Sequence, residues 1–139
     1  MGHRRKAREY ALQGLYIYEI SDKDLDNAKS LSWVEVEVAE DIRKFAVKLI
    51  EGTIDKIAEL DKIIVSCSKN WSIERLNAVD KAILRMSIYA LMNIRDVPSA
   101  VTINEAIELG KIFGGENSGQ FINGILDTVR INYLKEEIK

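Results

Sequence analysis

Residues 71–91 read Trp71-Ser72-Ile73-Glu74-Arg75-Leu76-Asn77-Ala78-Val79-Asp80-Lys81-Ala82-Ile83-Leu84-Arg85-Met86-Ser87-Ile88-Tyr89-Ala90-Leu91. Leu76, Val79, Ile83, Ser87, Ala90 and Leu91 recur at intervals of three and four, which gathers them on one face of a helix. Glu74, Lys81 and Arg85 fall on the other side. Ser72 reads as the N-cap, with Trp71 and Leu76 at the staple positions that flank a helix start. Asp96-Val97-Pro98-Ser99 ends the helix, because proline disfavours helical backbone at Val97.

The same period extends in both directions. Toward the N-terminus, a long region from about Val38 to Cys67 carries the stripe Ile42, Phe45, Ala46, Leu49, Thr53, Ile57, Leu60 and Ile64. Gly52 marks a bend or a break within it, and Ser68-Lys69-Asn70 reads as a loop. Ala7, Ala11, Leu12, Leu15 and Tyr18 predict a helix from about Arg4 to Ile20, followed by a polar connection, Ser21 to Asn27. Toward the C-terminus, Thr102-Ile103-Asn104-Glu105 has capping-box spacing, and Pro98 is a rival start. Gly114-Gly115 ends that helix. Ser118 caps a last one with the stripe Phe121, Ile122, Ile125, Leu126, Val129 and Tyr133. Trp33 to Val38 alternates like a strand but is too short to pair alone. The expectation is an all-α fold of six or seven helices in a single domain over residues 1–139, with two small packed helical bundles, about 1–68 and 69–139.

Composition narrows the function. A chain of 139 residues with 47% hydrophobic and 30% charged residues is ordinary for one globular domain. Cys67 is the only cysteine, so no internal disulfide forms and a reducing cytoplasm is expected. No apolar run reaches the roughly 18 residues of a membrane span. The opening residues lack the apolar core of a secretion signal, and Lys6 stands where myristoylation wants Ser or Thr.

Charge is more informative. Net charge is −2, yet Arg4, Arg5, Lys6 and Arg8 precede the first acidic residue, Glu9. Removing these four from the 20 basic residues leaves 16 against 22 acidic ones. A helix start carries a partial positive charge, so each exposed cation there costs roughly 0.3–1 kcal/mol. Stability alone favours Asp or Glu. A polyanionic partner explains the cluster better than solubility does, and RNA is the preferred anion, because arginine forks match phosphates and stack on bases.

Catalytic chemistry finds little support. One His and one Cys cannot make a zinc site, and no carboxylate loop has calcium spacing. His3 is the only imidazole for a serine–histidine system. Gly110-Lys111 lacks the upstream glycine and following hydroxyl of a phosphate loop. Glu105 and Glu108 share a helical face, read as solvated rather than as an acid–base pair. Cys67 reads as a small buried side chain. Tyr10, Tyr16, Tyr18, Phe113 and Phe121 read as core from spacing alone, and Lys81 with Arg85 as a solvated pair. No catalytic residue, metal ligand or cofactor is assigned.

Three blocks resemble the NusB family. The first is Arg4-Arg5-Lys6-Ala7-Arg8-Glu9 continuing to Leu15-Tyr16. The second is Trp71 to Leu76 followed by Val79-Asp80-Lys81-Ala82-Ile83-Leu84-Arg85. The third runs from Val97-Pro98 through Ile103 to Leu109, Phe113-Gly114 and Phe121 to Asp127. The resemblance implies an all-α, non-enzymatic transcription antitermination factor. It implies binding of single-stranded boxA RNA of ribosomal RNA leader transcripts together with the ribosomal protein NusE, in the RNA polymerase antitermination complex. It carries RNA contact to Arg4, Arg5, Lys6, Arg8, Lys81, Arg85, Phe113, Asn117, Gln120 and Phe121, and NusE contact to Tyr16, Glu74 and Asp80. Members of such a family differ in whether they self-associate, so a homodimer is one open option. Two positions depart from the pattern: Ala90 replaces an acidic residue, and Gly110 replaces an alanine.

The rival readings are an all-α adaptor whose basic helix grips an acidic protein, a helical enzyme for an anionic small molecule (Arg8, Arg75 and Arg85 turned inward), and the RNA-binding domain of a ribosomal RNA methyltransferase. Competition by RNA separates the first. The polar placement of those arginines argues against the second, and the lack of a catalytic segment after residue 139 against the third.

Overall fold

The computed structural model describes residues 2–68 and 72–134. Seven α-helices lie among them: α1 (Gly2–Ile20), α2 (Leu25–Ser30), α3 (Glu40–Asp55), α4 (Ile57–Cys67), α5 (Ala78–Asn93), α6 (Ser99–Phe113) and α7 (Ser118–Tyr133). The described residues contain no strand, and the alternating Trp33–Val38 segment is irregular. The fold is all-α.

Two compact units divide the chain at Asp55/Lys56. The division falls ahead of the expected position near residue 68, because α4 packs against α5 and α7 and so belongs with the second unit.

In the first unit, α1 packs on α3 and α2. Ala7, Ala11, Leu12 and Leu15 of α1 are buried, as are Ala28, Ala46, Leu49, Ile50 and Thr53 from α2 and α3. Trp33 donates its indole N–H to Gln13 Oε1 at 2.9 Å, which ties the irregular segment to α1. The polar stretch expected to be a plain connection contains the start of α2. Asp24 makes that start possible, because its carboxylate accepts the Asn27 backbone N–H at 3.1 Å. The predicted break at Gly52 does not occur. Glycine costs a helix only about 1 kcal/mol, and the surrounding Leu49, Ile50 and Thr53 are fully packed. The helix ends after Asp55 instead.

In the second unit, α5 is the central helix, with Ala82, Ile83, Leu84, Met86, Ser87, Ile88, Ala90 and Leu91 all buried. It contacts α4, α6 and α7. The start expected at Ser72 is displaced. Ser72 makes no side-chain cap and precedes a short 3-10 turn, Ile73–Arg75. Asn77 caps α5: its Oδ1 accepts the Asp80 N–H at 2.8 Å, while its Nδ2 donates to Asp80 Oδ2 at 3.2 Å. Leu76 is buried; Trp71 of the expected staple, and Lys69 and Asn70 of the expected loop, lie outside the described residues. Pro98 starts α6, so Thr102 and Glu105 sit inside the helix, both buried, and do not form a capping box. Glu105 is therefore not on a solvated face, whereas Glu108 pairs with Lys111 at 3.3 Å. Gly114 ends α6 in an extended conformation, not a left-handed one. The Ser118 hydroxyl accepts the Gly115 N–H at 2.8 Å and thereby braces the turn into α7. Cys67, expected to be buried, is a partly exposed free thiol at the end of α4.

Candidate nucleic-acid interface

In the first unit, the opening turn of α1 contains no acidic residue to offset its cations. Arg4, Arg5 and Lys6 are exposed, whereas Arg8 is only 8% exposed. The two arginines four residues apart bracket one ring. The guanidinium carbon of Arg4 lies 4.4 Å from the Phe45 centroid and that of Arg8 5.6 Å. Phe45 thus holds the arginines on α1, a role that its place in the α3 stripe did not reveal. Arg4, Arg5 and Arg8 are all engaged in further interactions, so none is a free charge. Lys6 lies 3.3 Å from Glu9 Oε1 and 5.8 Å from the Tyr10 ring centroid. Tyr16 is 39% exposed. His3 Nδ1 contacts Asp41 on α3, and that hydrogen bond holds the Asp41 carboxyl below its ordinary value.

In the second unit, a cavity of about 380 Å³ brings together three of the predicted residues: Asn117, Phe121 and Asp80. Arg75, Leu76 and Ser118 complete much of its wall. Asn117 is exposed at the N-cap of α7, and Phe121 is half-buried one turn later. Asp80, predicted to meet a partner, is 7% exposed, and its Oδ1 has no hydrogen-bond partner among the described residues. Lys81, Arg85, Phe113, Gln120 and Glu74 do not line this cavity. Phe113 is 37% exposed at the end of α6, Gln120 is exposed on α7, and Glu74 is exposed in the 3-10 turn.

Arg85 is not the solvated side chain that its spacing suggests. Its Nε and Nη2 donate to Asp61 Oδ1 and Oδ2 at 2.7 and 2.8 Å, a two-pronged pair that links α5 to α4. No sequence pattern connects two residues 24 positions apart. Among the described residues, no three His, Cys, Asp or Glu side chains converge as a metal site requires. No described helix is long and apolar enough to cross a membrane.

Comparison with known proteins identifies the fold's relatives. The family model described as NusB family matches residues 5–130. The chain is 49% identical over 129 residues to the transcription antitermination protein NusB of Syntrophus aciditrophicus, covering 93% of this chain and 80% of that protein. It is 42% identical over 133 residues to the NusB of Desulforapulum autotrophicum, covering 94% and 93%. Among solved structures, NusB of T. maritima superposes with a TM-score of 0.88 at 31% identity, covering 96% of this chain and 94% of that one. A chain from a complex of antitermination factors NusB and NusE with double-stranded RNA superposes with a TM-score of 0.84 at 26% identity, covering 96% and 99%. The chain belongs to the NusB family.

Proposed function

We propose that this protein is a transcription antitermination factor, not an enzyme, that binds RNA together with NusE. The finer reading is that its RNA is the single-stranded boxA element of ribosomal RNA leader transcripts, bound in the cytoplasm as part of the RNA polymerase antitermination complex. The observation that carries it is the exposed cluster Arg4, Arg5 and Lys6 at the positive end of α1, in a family member whose relatives are named for antitermination. The related complex, described as NusB and NusE with RNA, supports both partners.

Arg4, Arg5 and Lys6 hold phosphates, with Arg8 anchored on Phe45 behind them. Asn117, Gln120, Phe113 and Phe121 supply amide and aromatic groups for bases, which single strands leave accessible. Lys81 and Arg85 add charge on α5. Tyr16, Glu74 and Asp80 are assigned to NusE. Few cations are available, so affinity for RNA alone is modest, and NusE raises it by adding contacts and fixing geometry.

Titration of boxA, scrambled and double-stranded RNA with and without purified NusE tests this reading. The expected result is tightest binding of single-stranded boxA in the presence of NusE. Equal affinity with and without NusE rejects cooperative assembly, and equal affinity for boxA and scrambled RNA rejects the sequence assignment.

A further inference from the structure

A second basic surface lies in the first unit, on α3. A cleft of about 410 Å³ is lined by His3, Arg4, Asp41, Lys44, Phe45 and Lys48. Lys44 and Lys48 are exposed and one helical turn apart, so their ammonium groups project on the same side of α3. Neither has an acidic partner among the described residues. Asp41 is the only carboxylate in the lining, and it already accepts from His3 Nδ1. Two lysines without an acidic partner among the described residues therefore stand beside one engaged carboxylate, with Arg4 at the edge of the same cleft. Arg4 lies over the Phe45 ring, so the cleft also offers a planar cation held in place by an aromatic ring. Surface lysines that serve only solubility need not converge on such a plane. Glu40, one turn before Lys44, makes no ion pair with it among the described residues, and Glu51 is taken by Lys29 at 2.7 Å.

We infer that the cleft between the start of α1 and Lys44–Lys48 of α3 is an additional subsite for single-stranded RNA, taking the backbone that continues beyond the segment held by Arg4, Arg5 and Lys6. This rests on the RNA-binding reading above. Arg4 belongs to both surfaces, which makes the charged track continuous within this unit. One turn of helix rises about 5.4 Å, comparable to the spacing of successive phosphates along a single strand. Arg4 gives the intervening base a flat cation to stack on. Ammonium groups bind phosphate as point charges with little regard for sequence, so the subsite reads the length of the RNA, not its bases.

The test compares a boxA core RNA with the same core carrying a short oligouridine extension on either end. Binding to the full chain is measured over a range of salt. Wild-type protein is expected to bind one extended RNA more tightly than the core. For that RNA, Lys44→Gln/Lys48→Gln should lower the logarithmic salt slope by about 1.4, from two lost phosphates at roughly 0.7 each. The same variant should bind the core as wild type does, and Lys44→Arg/Lys48→Arg should keep the gain. Circular dichroism of the exposed-site variants checks that the helices persist. No gain from either extension, or an equal gain in the Gln variant, overturns the subsite while leaving core binding intact. Failure of wild-type protein to bind the core overturns the RNA reading itself, and the subsite with it. Displacement of the extension by polyglutamate as readily as by oligouridine overturns the assignment to RNA.

Discussion

At Gly14 a methyl group would stand 2.6 Å from the Ala28 carbonyl oxygen and 2.7 Å from Ile50 Cδ1. The side chain of Ile50 can turn aside, but the carbonyl is backbone within the short helix α2. The glycine is required by the approach of α2 to α1, because its own backbone is ordinary helix. Gly14→Ala should therefore destabilise the protein by about 1–3 kcal/mol, the usual cost of overpacking. Gly124 is the control. It lies in α7, and among the described residues nothing outside its own helix turn comes within 4 Å of an added methyl group. Gly124→Ala should stabilise by roughly 0.5–1 kcal/mol through helix propensity alone. Urea unfolding of both variants checks the pair. A Gly14→Ala variant as stable as wild type would show that α2 can be moved at no cost.

At the scale of elements, the helices were legible because a period of 3.6 residues is written in many positions at once. Their starts were not, because a cap depends on one pair. Ser72 has Arg75 three residues on, which cannot return a hydrogen bond to a cap. Asn77 has Asp80 at the same spacing, and that pair starts α5. Likewise Asp24 starts α2 inside a stretch whose polarity suggested a plain connection. The exposed cations on α1 were legible from their unfavourable placement. The Arg8–Phe45 contact and the Arg85–Asp61 pair were not, since both partners lie on other helices. The second of these allows a structural role to be separated from a binding role. Asp61→Ala should destabilise by about 1.5–3 kcal/mol, the range for hydrogen bonds to charged groups, and Arg85→Ala by a similar amount. The double variant should cost less than the sum, because the two side chains act as one unit. RNA affinity should fall in Arg85→Ala but not in Asp61→Ala, which keeps the cation. Equal RNA affinity in both variants would confine Arg85 to holding α4 on α5.

For the whole molecule, a net charge of −2 means that the overall field does not attract RNA. Attraction must come from local patches, and it acts over about a Debye length, roughly 8 Å at physiological salt. Binding should then depend on a few named cations and not on total charge. Arg4→Ala/Arg5→Ala is the sharpest test, because both residues are exposed while Arg8 is buried against Phe45 and would confound a triple variant. Loss of two phosphate contacts should reduce the logarithmic salt slope by about 1.4. Stability should change by no more than a few kcal/mol, because exposed side chains contribute little through their remaining contacts and two further effects oppose each other at this helix start. Removing cations relieves the unfavourable interaction with the dipole, by roughly 0.3–1 kcal/mol each, whereas losing Arg4 removes a stacking contact on Phe45 of about 0.5–1 kcal/mol. Salt-dependent RNA binding and thermal unfolding of the same preparation separate the two. A reduced slope with at most a modest shift of the midpoint is the expected pair of results. An unchanged slope would mean that these arginines serve the fold and not the RNA. An unfolded variant would mean that the first turn of α1 is held by them, contrary to the balance just drawn.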